Sequence, residues 1–289
     1  MSWVLYRWVW RLEAPLYVGL SPAGVLNRCR LYVPARNLWA AFTAQLARRR
    51  MGNHSADLRE YQQVGERLCQ SCRFSYLYPA EPVNDEWKAW LPAFEQGQGL
   101  CWRREGGQEP IADVAMRRRL LDARPGTAIE PETDAAAEGS LRETELITPW
   151  WRGRSGVCQP VAMAGYFFCR DEKLVDDLRA IDEIHVGGDT RYGLGKLTRE
   201  DIESAQRFFD NNLRLDGDDP QVSANRVLAH AEARKADSAL MGALERLAQW
   251  DVGTFSPVGD NPFWVPGSRL MNAEGRWRIR QDGLWALDG

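Results

Sequence analysis

A chain of 289 residues has room for one or two domains. With 44% hydrophobic and 27% charged residues it has ordinary globular composition, which excludes disorder, collagen and coiled coil as whole-chain descriptions. No apolar run approaches the ~20 residues of a membrane helix, and six cysteines are too few for a disulfide scaffold, so a reducing, cytoplasmic setting is expected. The net charge of −3 is unevenly spread: residues 14–56 hold no Asp or Glu but six arginines (Arg28, Arg30, Arg36, Arg48, Arg49 and Arg50), leaving −9 on the rest. Such a segment suits a local polyanion site, and equally a solvated helix face.

Residues 3–12 (WVLYRWVWRL) are aromatic and branched, predicting a first strand rather than a signal peptide. Pro15, Gly19, Pro22 and Gly24 then break the chain into a loop. A short strand is expected over 30–33 and a helix over 35–50, where Leu38, Trp39, Phe42 and Leu46 fall on one face. Arg48, Arg49 and Arg50 in its last turn suit the negative end of the helix dipole, an explanation that competes with RNA binding. Residues 52–110 read as irregular, 113–122 as a strand or short helix, and the acidic, turn-rich 123–149 as an exposed hairpin or lobe. A buried strand is expected over 157–169 and a helix over 172–181. After a glycine-rich segment at 185–197, helices are expected from 200 to about 213 and over 224–250, joined by an acidic linker.

The tail predicts a closing hairpin of 276–280 and 284–287, with Trp264, Trp277 and Trp285 filling a small second core and Arg276, Arg278 and Arg280 sharing a strand face. No repeat with a period of 20–50 residues is present. This order fits an α+β protein with a split βαβ, ferredoxin-like core over 1–215, an irregular insertion at about 52–150, and a helical plus small β extension over 216–289.

Three features carry chemistry. Gly187, Gly188, Gly193 and Gly195 are interleaved with Arg191, Tyr192 and Lys196. Glycines let backbone N–H groups approach phosphate, the cations add charge, and the tyrosine adds a stacking face. The spacing matches neither the P-loop nor the dinucleotide fingerprint. Cys69-x-x-Cys72 supplies half of a candidate structural zinc site, with Cys101 or His54 as further ligands; two unligated cysteines are the alternative. His54, in a polar turn after the basic helix, is the candidate general acid or base among three histidines.

GGDTRYGLGKL (187–197) resembles the glycine-rich loop of the RAMP superfamily, the RNA-binding proteins of CRISPR systems. YVPARNLWAAF (32–42) resembles the IPGSSLKGALR helix entry of type III backbone subunits, with Arg36 and Asn37 in place of the serines. GTAIEPETDAAAEGSLRETELI (126–147) and LCQSCRF (68–74) are similar to two further segments of those subunits, all in the family's order. Beyond about residue 215 no resemblance is found. It implies an RRM-like palm holding crRNA, and through it target RNA, with Arg28, Arg30, Arg36, Asn37 and Arg48 at the palm edge and Gly187, Gly188, Arg191, Tyr192, Gly193, Gly195 and Lys196 in the loop. It also implies assembly with other effector subunits, with no membrane and no cofactor other than the candidate zinc. Many backbone members cut target RNA with an aspartate between the first strand and the helix. Here Asn27 is the nearest analogue, so a non-cleaving subunit, such as a filament cap, is expected. The rival reading within the superfamily is a metal-independent guide-processing endoribonuclease using His54.

Overall fold

The computed structural model describes residues 2–52, 54–55, 57–107, 109–153, 158–233, 240–251, 254–271 and 274–288. The protein is α+β, with mostly antiparallel sheets and, among the described residues, four α-helices: α1 (Ala35–Met51), α2 (Leu58–Ser71), α3 (Asp113–Leu120) and α4 (Glu172–Arg179).

The aromatic first strand, Val4–Leu12, runs through the main sheet, antiparallel to Ala162–Cys169 on one side and to Lys196–Ser204 on the other. Trp8, Val9 and Trp10 are all buried, so both faces of this strand are covered. Trp8 lies 4.8 Å from the ring of Phe42 in α1 and 4.5 Å from Phe167. Offset rings at these separations add to the burial gain, fixing α1 on the sheet. Every residue of Ala162–Cys169 is buried. A Cβ at Gly165 would stand 2.5 Å from the Tyr76 carbonyl oxygen, so the close passage of the neighbouring chain requires glycine there. Cys72–Phe74 pairs with the same strand, and Tyr78–Val83, Glu86–Glu95, Gly99–Arg104 and Ile111–Ala112 extend the sheet on that side. At the far edge lies Glu183–His185, joined to Lys196–Ser204 by the glycine-rich loop.

Several expectations need correction. The stretch 52–110 is regular rather than irregular: α2 is capped by the Asp57 side chain and buries Val64 and Leu68, and successive hairpins follow. Residues 30–33 form no strand; Val33 alone bridges to Leu77, while Leu31 is buried by packing. Residues 196–204 form a strand rather than the start of a helix. Pairing with the central strand buries Leu197 and outweighs the helical preference of its Glu-rich end. The described part of 224–250 contains short strands and no helix. Val227, Leu228, Ala229, His230 and Ala231 are buried in succession, which a one-sided surface helix cannot achieve. Residues 234–239 of that expected helix, and Val157 of the expected strand, lie outside the described residues.

Among the described residues, the expected extension 216–289 is β rather than helical plus β. A seven-stranded sheet includes Gln221–Ala224, Gly275–Ile279 and Trp285–Leu287. As the alternation predicts, Trp277 and Ile279 point inward and Arg276 and Arg278 outward, and Trp285 is buried. The expected hairpin 123–149 is present as Leu121–Gly126 against Arg142–Ile147.

Candidate nucleic-acid interface

The glycine-rich loop is built against the segment that follows the first strand. Gly188 N–H donates to the Tyr17 carbonyl at 2.9 Å, Gly195 N–H to Pro15 at 2.8 Å, and Val186 N–H to Gly195 at 2.9 Å. Gly187 and Gly195 have φ of +87° and +74°, and a Cβ would stand 2.2 Å from the Tyr17 oxygen and 1.9 Å from the Val186 oxygen. These glycines serve close backbone packing. The N–H groups of Gly188, Gly193 and Gly195 are bonded within the chain, so they do not form the free phosphate cradle expected from the sequence. What the loop presents outward is a 3-10 turn, Thr190–Tyr192, with Arg191 exposed and Tyr192 66% exposed. Lys196 pairs with Glu183 at 2.8 Å; its hydrogen bond and charge push the lysine pKa up and hold the Glu183 carboxyl below its usual range.

Between this loop and α1 runs a groove lined by Asn37, Ala40, Ala44, Arg48, His185 and Gly187. Asn37, Ala44 and Arg48 recur at helical spacing, so one stripe of α1 supplies the wall, with alanines keeping it shallow. Gln45 Nε2 donates to the Glu183 carbonyl at 2.8 Å and holds the helix to the sheet edge. The groove thus unites Asn37, Arg48 and Gly187 from the predicted set.

A second, larger cleft of about 490 Å³ opens at the start of α1, where Arg36 and Asn37 meet Arg246 from the C-terminal region. Arg36 Nη1 donates to Gln249 Oε1 at 2.6 Å. Arg30, expected at the RNA edge, is instead part of a buried network. It lies 2.7 Å from Glu245 and donates to Tyr32 Oη and the Gly19 carbonyl, each at 3.0 Å. His230, 1% exposed, joins Glu245 through Nε2 at 2.7 Å and Tyr76 Oη through Nδ1 at 2.7 Å. Burial lowers the His230 pKa, and burial pushes that of Tyr32 up to about 12. Burial opposes ionisation of Glu245, but the His230 hydrogen bond and Arg30 charge carry its pKa below the usual range. Arg28 is half-buried.

Sequence reasoning missed Arg124 and Arg142. They lie toward the loop end of the hairpin, in a small cleft with Asp189, Tyr192 and Leu194. Arg142 stands opposite Gly126 and Arg124 opposite Thr144, so the two arginines are diagonal neighbours across the hairpin, and it is this strand register that sets both beside the loop tyrosine.

The candidate zinc ligands are not brought together. Cys72 donates to Cys169 Sγ at 3.2 Å, Cys101 donates to the Ala93 carbonyl at 3.1 Å, and Cys69 sits partly buried at the end of α2. Among the described residues no cluster of three or more His, Cys, Asp or Glu is arranged to hold a metal. His54 is exposed, with Nδ1 2.8 Å from the Met51 carbonyl oxygen at the end of α1. No described helix is long and apolar enough to cross a membrane.

No family model and no curated protein matches the sequence. Solved structures do match. One is a chain of the type III-B Cmr-beta bound to cognate target RNA and AMPPnP, state 1. It has a TM-score of 0.54 and 10% identity, over 92% of this chain and 85% of that one. Another is a chain of the type III-B Cmr-beta bound to cognate target RNA, with a TM-score of 0.53 and 10% identity, over 91% and 86%. At this identity the likeness is one of fold, and it lies with the class of complex that the sequence motifs resemble.

Proposed function

We propose that this chain is a crRNA-binding structural subunit of a type III-like CRISPR ribonucleoprotein effector, contacting target RNA through the guide and other subunits directly. The groove between α1 and the glycine loop carries the reading, because segments about 140 residues apart place Asn37, Arg48 and Gly187 along one channel, with Arg191 and Tyr192 on the same loop. The order Lys196–Ser204, Val4–Leu12, Ala162–Cys169, Cys72–Phe74, with α1 and α4 as crossovers, supports a ferredoxin-like core. Residues 14–56 hold no carboxylate to take up a proton or bind a metal, which supports a non-cleaving role.

The test is co-expression with the genomic neighbours and sequencing of the RNA that copurifies. The wild type retains guide RNA of uniform length, and the Arg48→Glu/Arg191→Glu variant loses at least tenfold of it. Retention falls steeply with salt, because phosphate contacts release counterions. Full retention by that variant would remove the groove from the interface. Cleavage of repeat RNA by the isolated chain, abolished by His54→Ala, would establish the processing nuclease instead.

A further inference from the structure

Cys72 and Cys169 stand directly opposite each other in the main sheet, on the antiparallel strands Cys72–Phe74 and Ala162–Cys169. The adjoining position is tied by Arg170 N–H, which donates to the Ser71 carbonyl at 3.1 Å. The two cysteines therefore form a non-hydrogen-bonded pair, the kind whose side chains stand closest. Opposed Cα atoms at such positions lie about 4.5 Å apart, inside the window of about 4.4–6.8 Å that a disulfide spans. The sulfurs are 3.2 Å apart, with the Cys72 thiol donating to Cys169 Sγ. Both cysteines are free thiols, 2% and 1% exposed. Cys169 also lines a surface cleft with Val4, Tyr6, Ser71, Arg170 and Asp171. The hydrogen bond from Cys72 holds the Cys169 thiol below its usual pKa, whereas burial pushes that of Cys72 well up.

We propose that Cys72 and Cys169 are a peroxide-sensitive dithiol, in which Cys169 is oxidised first and Cys72 then closes a reversible disulfide across the sheet. The Cys169 thiolate attacks one oxygen of hydrogen peroxide, the O–O bond breaks and hydroxide leaves, giving a sulfenic acid. The Cys72 sulfur attacks the Cys169 sulfur; the S–S bond forms, the S–O bond breaks, and the leaving hydroxide carries off the Cys72 proton as water. Two thiols and one peroxide thus give one disulfide and two waters, with sulfur oxidised and the peroxide oxygens reduced. A barely exposed sulfur in a cleft wall admits a molecule of peroxide size and excludes a protein disulfide. The strand register already opposes the sulfurs, so closure needs no shift of the sheet. The bond joins the end of α2 to the start of α4, elements already clasped by Arg67 to Asp171 at 2.9 Å and to Asp177 at 3.1 Å. It closes a loop of about 100 residues, which takes conformational freedom from the unfolded chain. The pair is independent of the RNA-binding reading and stands or falls separately from it.

The experiment treats the full chain carrying Cys69→Ser and Cys158→Ser with hydrogen peroxide, blocks the remaining thiols, and maps the tryptic peptides by mass spectrometry. In that background the peptides 68–73 and 155–170 each hold a single cysteine, Cys72 and Cys169. The two peptides become joined with the loss of two hydrogens, and dithiothreitol separates them. Oxidation raises the thermal unfolding midpoint by about 5–10 °C. Adding Cys72→Ser prevents the link and leaves a Cys169 sulfenic acid that dimedone labels; Cys72→Ala, which brings no hydroxyl into the core, gives the same result. Peptides that stay separate after peroxide, or dimedone labelling of Cys72 in place of Cys169, would overturn the proposal.

Discussion

Replacing Arg30 by Met separates a structural arginine from an RNA-binding one. Its side chain is 13% exposed and that of its partner Glu245 is 20% exposed, so the variant strands a carboxylate largely removed from water. It also removes donors to the Gly19 carbonyl and Tyr32 Oη. Losing one partner of a fully buried pair costs about 3–5 kcal/mol. Partial exposure and the remaining His230 contact place this loss at the low end, about 3 kcal/mol. For a chain of this length each kcal/mol moves the unfolding midpoint by about 2 °C, giving a drop of about 6 °C. Arg36→Met, which removes an exposed side chain with a single bond to Gln249, should stay within about 0.5 kcal/mol while lowering RNA retention. Calorimetry of the purified chains and RNA quantification of the copurified complexes give the two readouts. Arg30→Met/Glu245→Gln, which removes both charges, should recover part of the midpoint. An unchanged midpoint in Arg30→Met together with lost RNA would refute the reasoning and return Arg30 to the interface.

The same network makes stability depend on pH. His230 binds its proton less readily in the folded chain than in the unfolded one, whose reference value is 6.5. Its contribution is therefore complete above that value and is lost as pH falls below it. Glu245, also lowered, adds a further loss at more acid pH, as pH drops through its folded value. Urea midpoints at pH 7.5, 6 and 5 should decline in the wild type and decline less in His230→Gln. In the loop, Gly193→Ala meets open space and bears only the left-handed backbone cost of about 1–2 kcal/mol. Gly195→Ala also drives a Cβ into the Val186 carbonyl, so it should displace the turn and reduce RNA retention where Gly193→Ala retains it. Equal retention by both variants would show that the loop position is not set by that contact.

What the sequence made legible was local. The strand Val4–Leu12 carries its aromatic and branched composition, and helix α1 its apolar spacing, within a few residues, and the RWRI alternation of the tail announces the inward Trp277. Lys196–Ser204 was illegible because its partner strand, nearly 200 residues away, decides its conformation. The fate of Arg30 was hidden in the same way: Glu245 lies 215 residues along the chain, and nothing in LNRCRLYVP distinguishes a buried arginine from a phosphate ligand.

The glycines of the loop serve a different purpose from the one their sequence pattern suggests. The loop's position beside α1 follows from the glycines, but through packing: Gly187 and Gly195 let the backbone press onto Tyr17 and Val186, and several of the N–H groups expected to meet phosphate are consumed in doing so. The tight base leaves Thr190–Tyr192 standing outward, with Arg191 and Tyr192 as its exposed tip. Under the proposed function, phosphate affinity at this loop rests on side-chain charge and stacking rather than on a backbone nest. It should consequently be more sensitive to reversal of Arg191 than to alanine at Gly193, although both lie in the same turn.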